Sequence, residues 1–212
     1  MLGVSYSKTS NMRLYDFLPS GNSYKVRLLL HQLGIPYERV PVNILKRETY
    51  APEFLAKNPN GRIPLLELDD GRFLAESNAI LWYLAEPSRL LPTEPFQRAL
   101  VLQWMFFEQY SHEPYIATAR YWISILGKKQ EYAQALTEKK EPGYHALGVM
   151  ESHLEKNEYF VGGRYTIADI ALYAYTHVAH EGEFDLSRYP AIQAWLRRVE
   201  DQPGYIPMTR ET

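Results

Sequence analysis

The spacing of apolar residues changes along this chain, and the change limits the folds that it can adopt. Before residue 86, short apolar runs are separated by turn residues, which is typical of strands and short helices joined by tight connections. After residue 96, apolar residues recur every three or four positions, which is typical of amphipathic helices. The segment 87–95 between them holds three prolines and no sustained periodicity. We therefore predict two domains, the second of them all-helical, joined by a linker.

The first part of the chain is predicted to form a small mixed sheet. A helix between the first two strands implies that these strands run parallel. The turn Asp69-Asp70-Gly71 suits a hairpin, which would add an antiparallel pair. Gly34, with Pro36 just beyond, is a natural end for the first helix. The predicted strands are 13–17, 37–42, 65–68 and 73–75, and the predicted helices are 25–33, 46–57 and the run capped by Ser77.

Charge and hydropathy narrow the classes of partner. The 212 residues are 46% hydrophobic, which is ample for a buried core. A net charge of -2 gives no electrostatic reason to expect binding to nucleic acid or to an anionic membrane. No apolar stretch approaches the roughly 20 residues that cross a bilayer. Residues 1–11 lack the apolar core of a secretory signal, so we expect a cytoplasmic protein with a flexible tail there.

The absence of cysteine restricts the chemistry. It excludes disulfides, thiolate metal sites and a sulfur nucleophile of the protein's own, so any thiol chemistry depends on a thiol that a ligand brings. His177 and His180 have an i, i+3 spacing that could bind a metal, with Glu181 beside them. The sequence identifies no further ligand, and we expect no metal.

A short segment before the third strand predicts a peptide-binding edge. The loop 58–64 delivers Ile63-Pro64 directly into the strand, which suits a tight turn, with a cis peptide bond as one option. Such a turn leaves the backbone of Ile63 unpaired, so an extended peptide can bind to it as an added strand. Ser77 is a good N-cap for the next helix, and a helix N-terminus offers amides and a positive dipole end to a carboxylate.

Four segments in this order make the chain resemble a cytosolic glutathione S-transferase over nearly all of residues 12–205. They are Pro19 to Arg27, the loop 58–64, Glu76-Ser77, and Tyr165-Thr166-Ile167-Ala168-Asp169. The last of these also reads as a capping box, which assigns Asp169 to folding. The resemblance implies an α/β thioredoxin-like N-terminal domain at 12–86, a linker at 87–95 and an all-α C-terminal domain at 96–212. It also implies a homodimer.

The resemblance further implies which residues meet the sulfur of glutathione. The family holds the sulfur with a Tyr, Ser, Cys or related group after the first strand, and the matching stretch here is 20–23. Ser20 resembles the serine of theta-like and zeta-like members and is the first choice. Asn22 matches the polar residue of some bacterial relatives, and Ser23 is the third candidate. Tyr15 lies near the tyrosine of other members and is the least favoured.

The remaining site residues follow from the same resemblance. Thr49, Arg62, Ile63, Pro64, Glu76 and Ser77 are expected to bind glutathione. The electrophile pocket is expected on the first long helix of the C-terminal domain. Its candidate residues are Tyr110, His112, Tyr115 and Arg120. Of these, the cations His112 and Arg120 could receive an acidic substrate or half of a glutathione disulfide.

The expected reaction is attack of the glutathione thiolate on a small electrophile. Reduction of a disulfide or a peroxide needs the same activated thiolate and stays open, as does isomerisation of a conjugated acid. The alternative from another class is a protein-interaction or regulatory module of the same fold that does not turn over a substrate.

Overall fold

The structure is a computed structural model that describes residues 11–86 and 88–210. The chain divides into two compact units. The first takes the residues up to Arg89 together with those from Pro203 onward, and the second is Leu90–Gln202. Within the described residues, no helix is both long enough and apolar enough to cross a membrane. The tail predicted over 1–11 lies outside the described residues, apart from Asn11.

The first unit is built on one four-stranded sheet with the order β2-β1-β3-β4. Strand β1 pairs in parallel with β2 and antiparallel with β3, and β3 pairs antiparallel with β4. The predicted mixed sheet and the thioredoxin-like fold class are thus confirmed. The strands are β1 Arg13–Asp16, β2 Glu38–Pro41, β3 Leu65–Glu67 and β4 Phe73–Ala75, and the helices are α1 Gly21–Leu33, α2 Pro52–Leu55 and α3 Ser77–Ala85.

Helix α1 has a defined cap at each end. At its start, the Oγ of Ser20 accepts a hydrogen bond from the backbone N–H of Ser23 at 3.3 Å. At its end, Gly34 adopts the left-handed conformation with φ of 65°, and its N–H donates back to the carbonyls of the last turn. A glycine is favoured there because it has no Cβ to clash in that conformation. The Ser20 cap fixes where α1 begins, and therefore where the 20–23 stretch lies, and Gly34 fixes where the helix ends.

The predicted helix at 46–57 is wrong. The segment contains two 3₁₀ turns, Ile44–Lys46 and Glu48–Tyr50, and then the single turn of α2. Arg47 separates the two 3₁₀ turns with φ of 61°, a conformation that no regular helix contains. Pro52 prevents continuation into α2 because it has no N–H to donate and disfavours helical dihedrals in the preceding residue.

The C-terminal residues of the chain return to the first unit, whereas the sequence boundaries placed them with the helices. The phenol of buried Tyr24 donates to the carbonyl of Ile206 at 2.7 Å. The guanidinium of buried Arg27 donates to the carbonyl of Met208 at 2.9 Å. Arg27 also forms a buried ion pair with Asp16. These polar contacts attach residues 203–210 to α1.

The regular secondary structure in the described residues of the second unit is helical, apart from an isolated bridge between Val161 and Arg164. The first long helix of the prediction is interrupted by two segments of π-helix, Glu108–His112 and Tyr121–Ile125. The helices are α4 Pro95–Phe107, α5 Glu113–Arg120, α6 Ala133–Leu154, α7 Ile167–Thr176 and α8 Pro190–Glu200, with a 3₁₀ turn at Ala179–Gly182.

The capping box predicted before α7 is present. The Oγ1 of Thr166 accepts from the N–H of Ala168, and the carboxylate of Asp169 accepts from the N–H of Thr166 at 2.8 Å. The same carboxylate also accepts from the indole of Trp195 at 3.0 Å and from the N–H of Phe160. Asp169 therefore caps α7 and joins it to α8 through Trp195.

Candidate active site

Two helix N-termini meet in the first unit, those of α1 and α3. The Oδ1 of Asn22 in the first turn of α1 accepts from the Oγ of Ser77 at 3.1 Å, and Ser77 is the first residue of α3. The same Oδ1 accepts from the Nζ of Lys25 at 2.8 Å, and the side chain of Lys25 is buried. Each helix N-terminus carries a partial positive charge, and Lys25 adds an ammonium. This region of the unit is therefore suited to an anion.

The three candidates for the sulfur contact lie in different environments. Ser20 is half-buried, and its hydroxyl hydrogen has no acceptor among the residues that the structure describes. The Oδ1 of Asn22 accepts from two donors, and the donor group of this half-buried side chain is its Nδ2 amide. Ser23 is 0% exposed, and its hydroxyl is unbonded and buried. Ser20 and Asn22 are thus more accessible to a ligand than Ser23.

Tyr15 is engaged elsewhere. Its ring packs in a core cluster with Val42, Phe54 and Leu65. Its hydroxyl donates to the Oε2 of Glu67 at 2.8 Å and accepts from the ammonium of Lys57. Both hydrogen-bonding functions of this phenol are used inside the first unit, which leaves the tyrosine alternative without support.

The loop 58–64 is organised by Asn58, a buried residue that the sequence analysis did not single out as functional. Its Nδ2 donates to the carbonyl of Arg62 at 2.8 Å, and its Oδ1 accepts from the N–H of Asn60 at 3.1 Å. Gly61 has φ of 61°, and a Cβ there would come within 3.3 Å of the carbonyl oxygen of Thr49. Thr49 is buried, and its backbone carbonyl lies next to Gly61 of this loop. The sequence signal for this role of Asn58 was an Asn at the start of a turn, and it is not specific because Asn is common in turns of many kinds.

The Ile63-Pro64 peptide bond is cis, which was the option left open. The N–H and carbonyl of Ile63 make no hydrogen bond within the described part of the chain, and β3 starts two residues later. Pro64 is buried and Arg62 is exposed. An extended peptide can therefore pair with the backbone at Ile63 while Arg62 stands beside it.

Glu76 has a strained backbone at the start of α3. Its φ is 67° and its ψ is 112°, a region that side-chain-bearing residues rarely adopt and that is often found at functional sites. Glu76 is the N-cap, and its carbonyl accepts from the N–H of Ile80. The expectation that Ser77 is the N-cap is therefore wrong, because Ser77 is already helical and its hydroxyl bonds to Asn22.

The candidates for the electrophile pocket lie in the second unit, and the structure gives them different surroundings. Tyr110 is 84% exposed. Tyr115 is half-buried, with the ammonium of Lys139 5.3 Å from its ring centroid. His112 is 0% exposed, and its Nε2 lies 2.9 Å from the Oγ1 of Thr176. Arg120 is 5% exposed, and its Nε donates to Glu181 at 2.7 Å. The two basic residues expected to receive an acidic substrate thus both bond to partners inside the unit.

The sequence matches two family descriptions. Residues 10–86 match the glutathione S-transferase N-terminal domain, and residues 104–203 match the glutathione S-transferase C-terminal domain. Together these matches span most of the chain, and the chain belongs to the glutathione S-transferase family. Relatives at 30% identity or more carry the names of enzymes, among them glutathione S-transferases and a disulfide-bond oxidoreductase, and this chain is an enzyme of the glutathione S-transferase type.

Several relatives are similar over nearly the whole chain. The crystal structure of a glutathione S-transferase from Pseudomonas fluorescens has a TM-score of 0.92 and 55% identity, and the match covers 94% of this chain and 99% of that one. The disulfide-bond oxidoreductase YfcG of Escherichia coli is 31% identical, over 89% of this chain and 90% of that protein. The glutathione transferase URE2P8 of Phanerochaete chrysosporium, solved with oxidized glutathione, has a TM-score of 0.82 and 29% identity, over 92% of this chain and 91% of that one.

Proposed function

We propose that this enzyme binds glutathione in its first unit, holds the sulfur as a thiolate beside Ser20 and Asn22, and presents it to a small electrophile. The observation that carries the proposal is the hydrogen bond from Ser77 to Asn22, because it brings together the N-termini of α1 and α3. Two positive helix ends in one place suit a ligand with two anionic groups. Glutathione has such groups in its thiolate and its carboxylates.

The backbone and charges of the unit support a specific placement of the tripeptide. The unpaired backbone of Ile63 would pair with the cysteinyl part of glutathione as an added strand. The N-terminus of α3 would receive a carboxylate at Ser77. The exposed carboxylate of Glu76 suits the ammonium of glutathione, and exposed Arg62 suits a carboxylate. Each charged group of the ligand then has a partner of opposite sign.

The free energy needed to activate the thiol is within the reach of these groups. A free thiol has a pKa near 8.5, and a drop of roughly 2 units corresponds to about 2.7 kcal/mol. A hydrogen bond from the Ser20 hydroxyl to a charged sulfur is worth about 1.5 to 3 kcal/mol. The N-terminus of α1 adds up to about 2 kcal/mol. No basic side chain is needed, since bulk water can accept the proton.

Calorimetric titration of reduced glutathione at pH 7, in two buffers of different ionisation enthalpy, tests this proposal. We expect saturable binding with a buffer-dependent heat, which reports release of the thiol proton. Ser20→Ala or Asn22→Ala should reduce the proton release, and Ser152→Ala, at an exposed position of α6, should leave it unchanged. Absence of binding up to millimolar glutathione would contradict the proposal.

Disulfide reduction is a second candidate activity, and two observations favour it. The chain has no cysteine, so a mixed disulfide with the protein cannot trap the reaction. The relative YfcG is named a disulfide-bond oxidoreductase, and URE2P8 was solved with oxidized glutathione. In this reaction, one glutathione thiolate attacks a disulfide sulfur, forms a mixed disulfide and releases a thiolate that takes up a proton. A second glutathione thiolate then attacks the glutathione sulfur of the mixed disulfide, which yields oxidised glutathione and releases the remaining substrate thiolate to take up a proton.

The two activities can be separated by comparing rates with bis(hydroxyethyl) disulfide and with chlorodinitrobenzene. A disulfide rate that exceeds the conjugation rate in the same preparation would assign the enzyme to disulfide reduction, and the reverse would assign it to conjugation. Either reaction needs a reduced glutathione pool, and for this reason we also propose a cytoplasmic location.

A homodimer is the proposed assembly. Two large apolar side chains on α4 support it, since Phe96 is 66% exposed and Phe106 is 67% exposed. An interface between two copies of the chain along α4 would remove these aromatic rings from water, which is favourable. Sedimentation equilibrium at micromolar concentration should give twice the chain mass, and Phe106→Glu should shift it toward the monomer. A monomeric wild-type protein would contradict the proposal.

A further inference from the structure

A cavity lies within the helical unit, and none of the residues proposed to contact glutathione or an electrophile lines it. It has a volume of about 560 Å³ and is lined by Tyr144, Asp185, Arg188 and Tyr189. This volume lies in the range of pockets that hold small organic ligands. The cavity combines a residue of α6 with three residues from the segment that leads into α8.

Two aromatic rings give this cavity flat walls. The rings of Tyr144 and Tyr189 are parallel within 9°, with centroids 6.4 Å apart. Tyr144 is fixed in this orientation because its hydroxyl accepts from the N–H of Asp185 at 3.0 Å and its ring packs edge-on against Phe184. Both tyrosines are half-buried. Flat rings of this kind favour a planar ligand, which can stack on them with an offset.

The two charged side chains at the cavity, Asp185 and Arg188, differ in how far the protein already engages them. Both carboxylate oxygens of Asp185 accept from Ser187, one from its N–H at 2.8 Å and the other from its hydroxyl at 2.7 Å. These bonds lower the pKa of Asp185, which stays ionised and engaged in its own turn. Exposed Arg188 has neither a hydrogen bond nor an ion pair with any residue in 11–86 and 88–210. An available guanidinium beside two rings is suited to a carboxylate, which it can bind through two parallel hydrogen bonds.

The nearby helix N-terminus is already occupied by the protein itself. The two carboxylate oxygens of Glu151 accept from the N–H groups of Ala191 and Ile192, each at 2.9 Å. The first turn of α8 therefore contributes no open amides to the cavity from these positions. The phenol of Tyr189 makes no hydrogen bond with a described residue, so it is a second donor that a ligand could use.

We propose that this cavity is a binding site for a planar aromatic carboxylate, with its ring against Tyr144 and Tyr189 and its carboxylate on Arg188. A ligand with several phosphates fits less well, because one arginine faces it and the ionised Asp185 lies in the same wall. A cationic aromatic fits less well because Asp185 is committed to Ser187 whereas Arg188 would repel it. The site shares no residue with the proposed glutathione site, since its lining residues all belong to the second unit.

Calorimetry with naphthoate as the probe tests the proposal, with saturating glutathione in both cell and syringe. We expect one naphthoate per chain. Arg188→Gln should weaken binding by about tenfold or more, as expected for loss of a charge-assisted contact. Arg197→Gln is the matched control, since Arg197 is an exposed arginine of α8 outside the cavity, and it should stay within about twofold of wild type. Circular dichroism should give the same spectrum for both variants.

Two further probes distinguish stacking from charge alone. Cyclohexanecarboxylate carries the same charge without a planar ring and should bind about tenfold more weakly. Naphthylmethylamine carries the ring with the opposite charge and should not bind saturably. Absence of saturable naphthoate binding at millimolar concentration would overturn the proposal, as would equal affinity in Arg188→Gln or equal affinity for the amine. Ser20→Ala should bind naphthoate normally, so failure of the glutathione proposal would not affect this result.

Discussion

The hydroxyl of Ser77 donates to the side-chain oxygen of Asn22 at 3.1 Å and thereby joins the first turns of two helices that are 55 residues apart in sequence. The contact is part-buried, and the ammonium of buried Lys25 meets the same oxygen. Asn22 is therefore held in one orientation by two donors. A residue proposed to face a thiolate gains from such fixation, because no side-chain entropy then has to be lost when the ligand arrives.

Ser77→Ala tests this relationship directly. The substitution removes one donor to Asn22 and one hydroxyl at the start of α3, so we expect the affinity for glutathione to fall by about tenfold, which is about 1.4 kcal/mol. The free energy of unfolding should fall by about 1 kcal/mol. Calorimetry of glutathione binding measures the first effect, with Ser152→Ala as the control. An unchanged affinity would mean that α3 binds no part of the tripeptide.

Lys25→Met tests the contribution of the buried ammonium. Lys25 lies one helical turn from Asn22 and carries a positive charge where the thiolate is proposed to bind. Its loss should raise the pKa of the bound glutathione thiol by roughly 1 unit, since an opposite charge nearby favours the ionised form. The ultraviolet absorbance of the thiolate, followed against pH in the complex, measures this pKa. Lys57→Met removes an ammonium that contacts Tyr15 instead and should leave that pKa unchanged.

A thiol pKa that is the same in wild type and Lys25→Met would show that Lys25 only supports the fold. In that case the loss of the hydrogen bond from Lys25 to Asn22 should lower the unfolding free energy of the variant without changing the thiol pKa. Ser20→Ala, measured in the same way, would show whether the hydroxyl alone lowers the pKa.

The sequence could nominate the residues of the proposed site but not how they are held. Ser20, Asn22 and Ser77 precede apolar helical runs, and residues of these types are favoured at such positions, so each could be found from local pattern. Their meeting depends on how β1 and β3 pair, which is a property of the whole sheet. The burial of Lys25 could not be predicted, because lysine is seldom buried unless it is paired.

Two basic residues of the second unit show that the local sequence does not reveal long-range partners. His112 and Arg120 resembled available charges on a helix, yet their partners Thr176 and Glu181 are about sixty positions away in the chain. Nothing in the local pattern reports such pairing. The π-helical segments had the same effect, since they rotate the side chains that follow them relative to a regular helix. The capping box was predictable because all of its residues lie within one turn.

Asp169→Asn should alter stability in a pH-dependent way. Burial raises the pKa of Asp169 to about 6, against bonds from Thr166 and Trp195 that favour the ionised form. The folded protein therefore takes up a proton between about pH 6 and pH 4 that the unfolded chain does not. From this group alone, stability rises as the pH falls through that window.

At pH 7, Asp169→Asn should destabilise the fold by about 2 to 4 kcal/mol, because an amide nitrogen would replace an oxygen that accepts bonds. The difference from wild type should widen as the pH is lowered from 7 to 5, since only the wild type gains the proton. Urea unfolding at several pH values measures it. Asp201→Asn, at an exposed aspartate after α8, is the control, and a difference that narrows at low pH would contradict the sign.

His177 should act in the opposite direction. Burial lowers its pKa to about 4, while its Nδ1 lies 2.8 Å from the carbonyl of Tyr173 and its ring stacks on that tyrosine. Between pH 6.5 and pH 4 the unfolded chain binds a proton that the folded chain does not, so stability is lost as the pH falls through this window.

His177→Asn keeps a donor toward Tyr173 and cannot titrate. On going from pH 7 to pH 5, the variant should therefore lose roughly 1 to 2 kcal/mol less stability than the wild type. Urea unfolding measures the change, with His145→Asn at an exposed position of α6 as the control. Parallel curves for His177→Asn and wild type would mean that His177 titrates alike in both states. Because Asp169 is present in both proteins, its own opposite contribution cancels in the comparison, and the remaining slope belongs to His177.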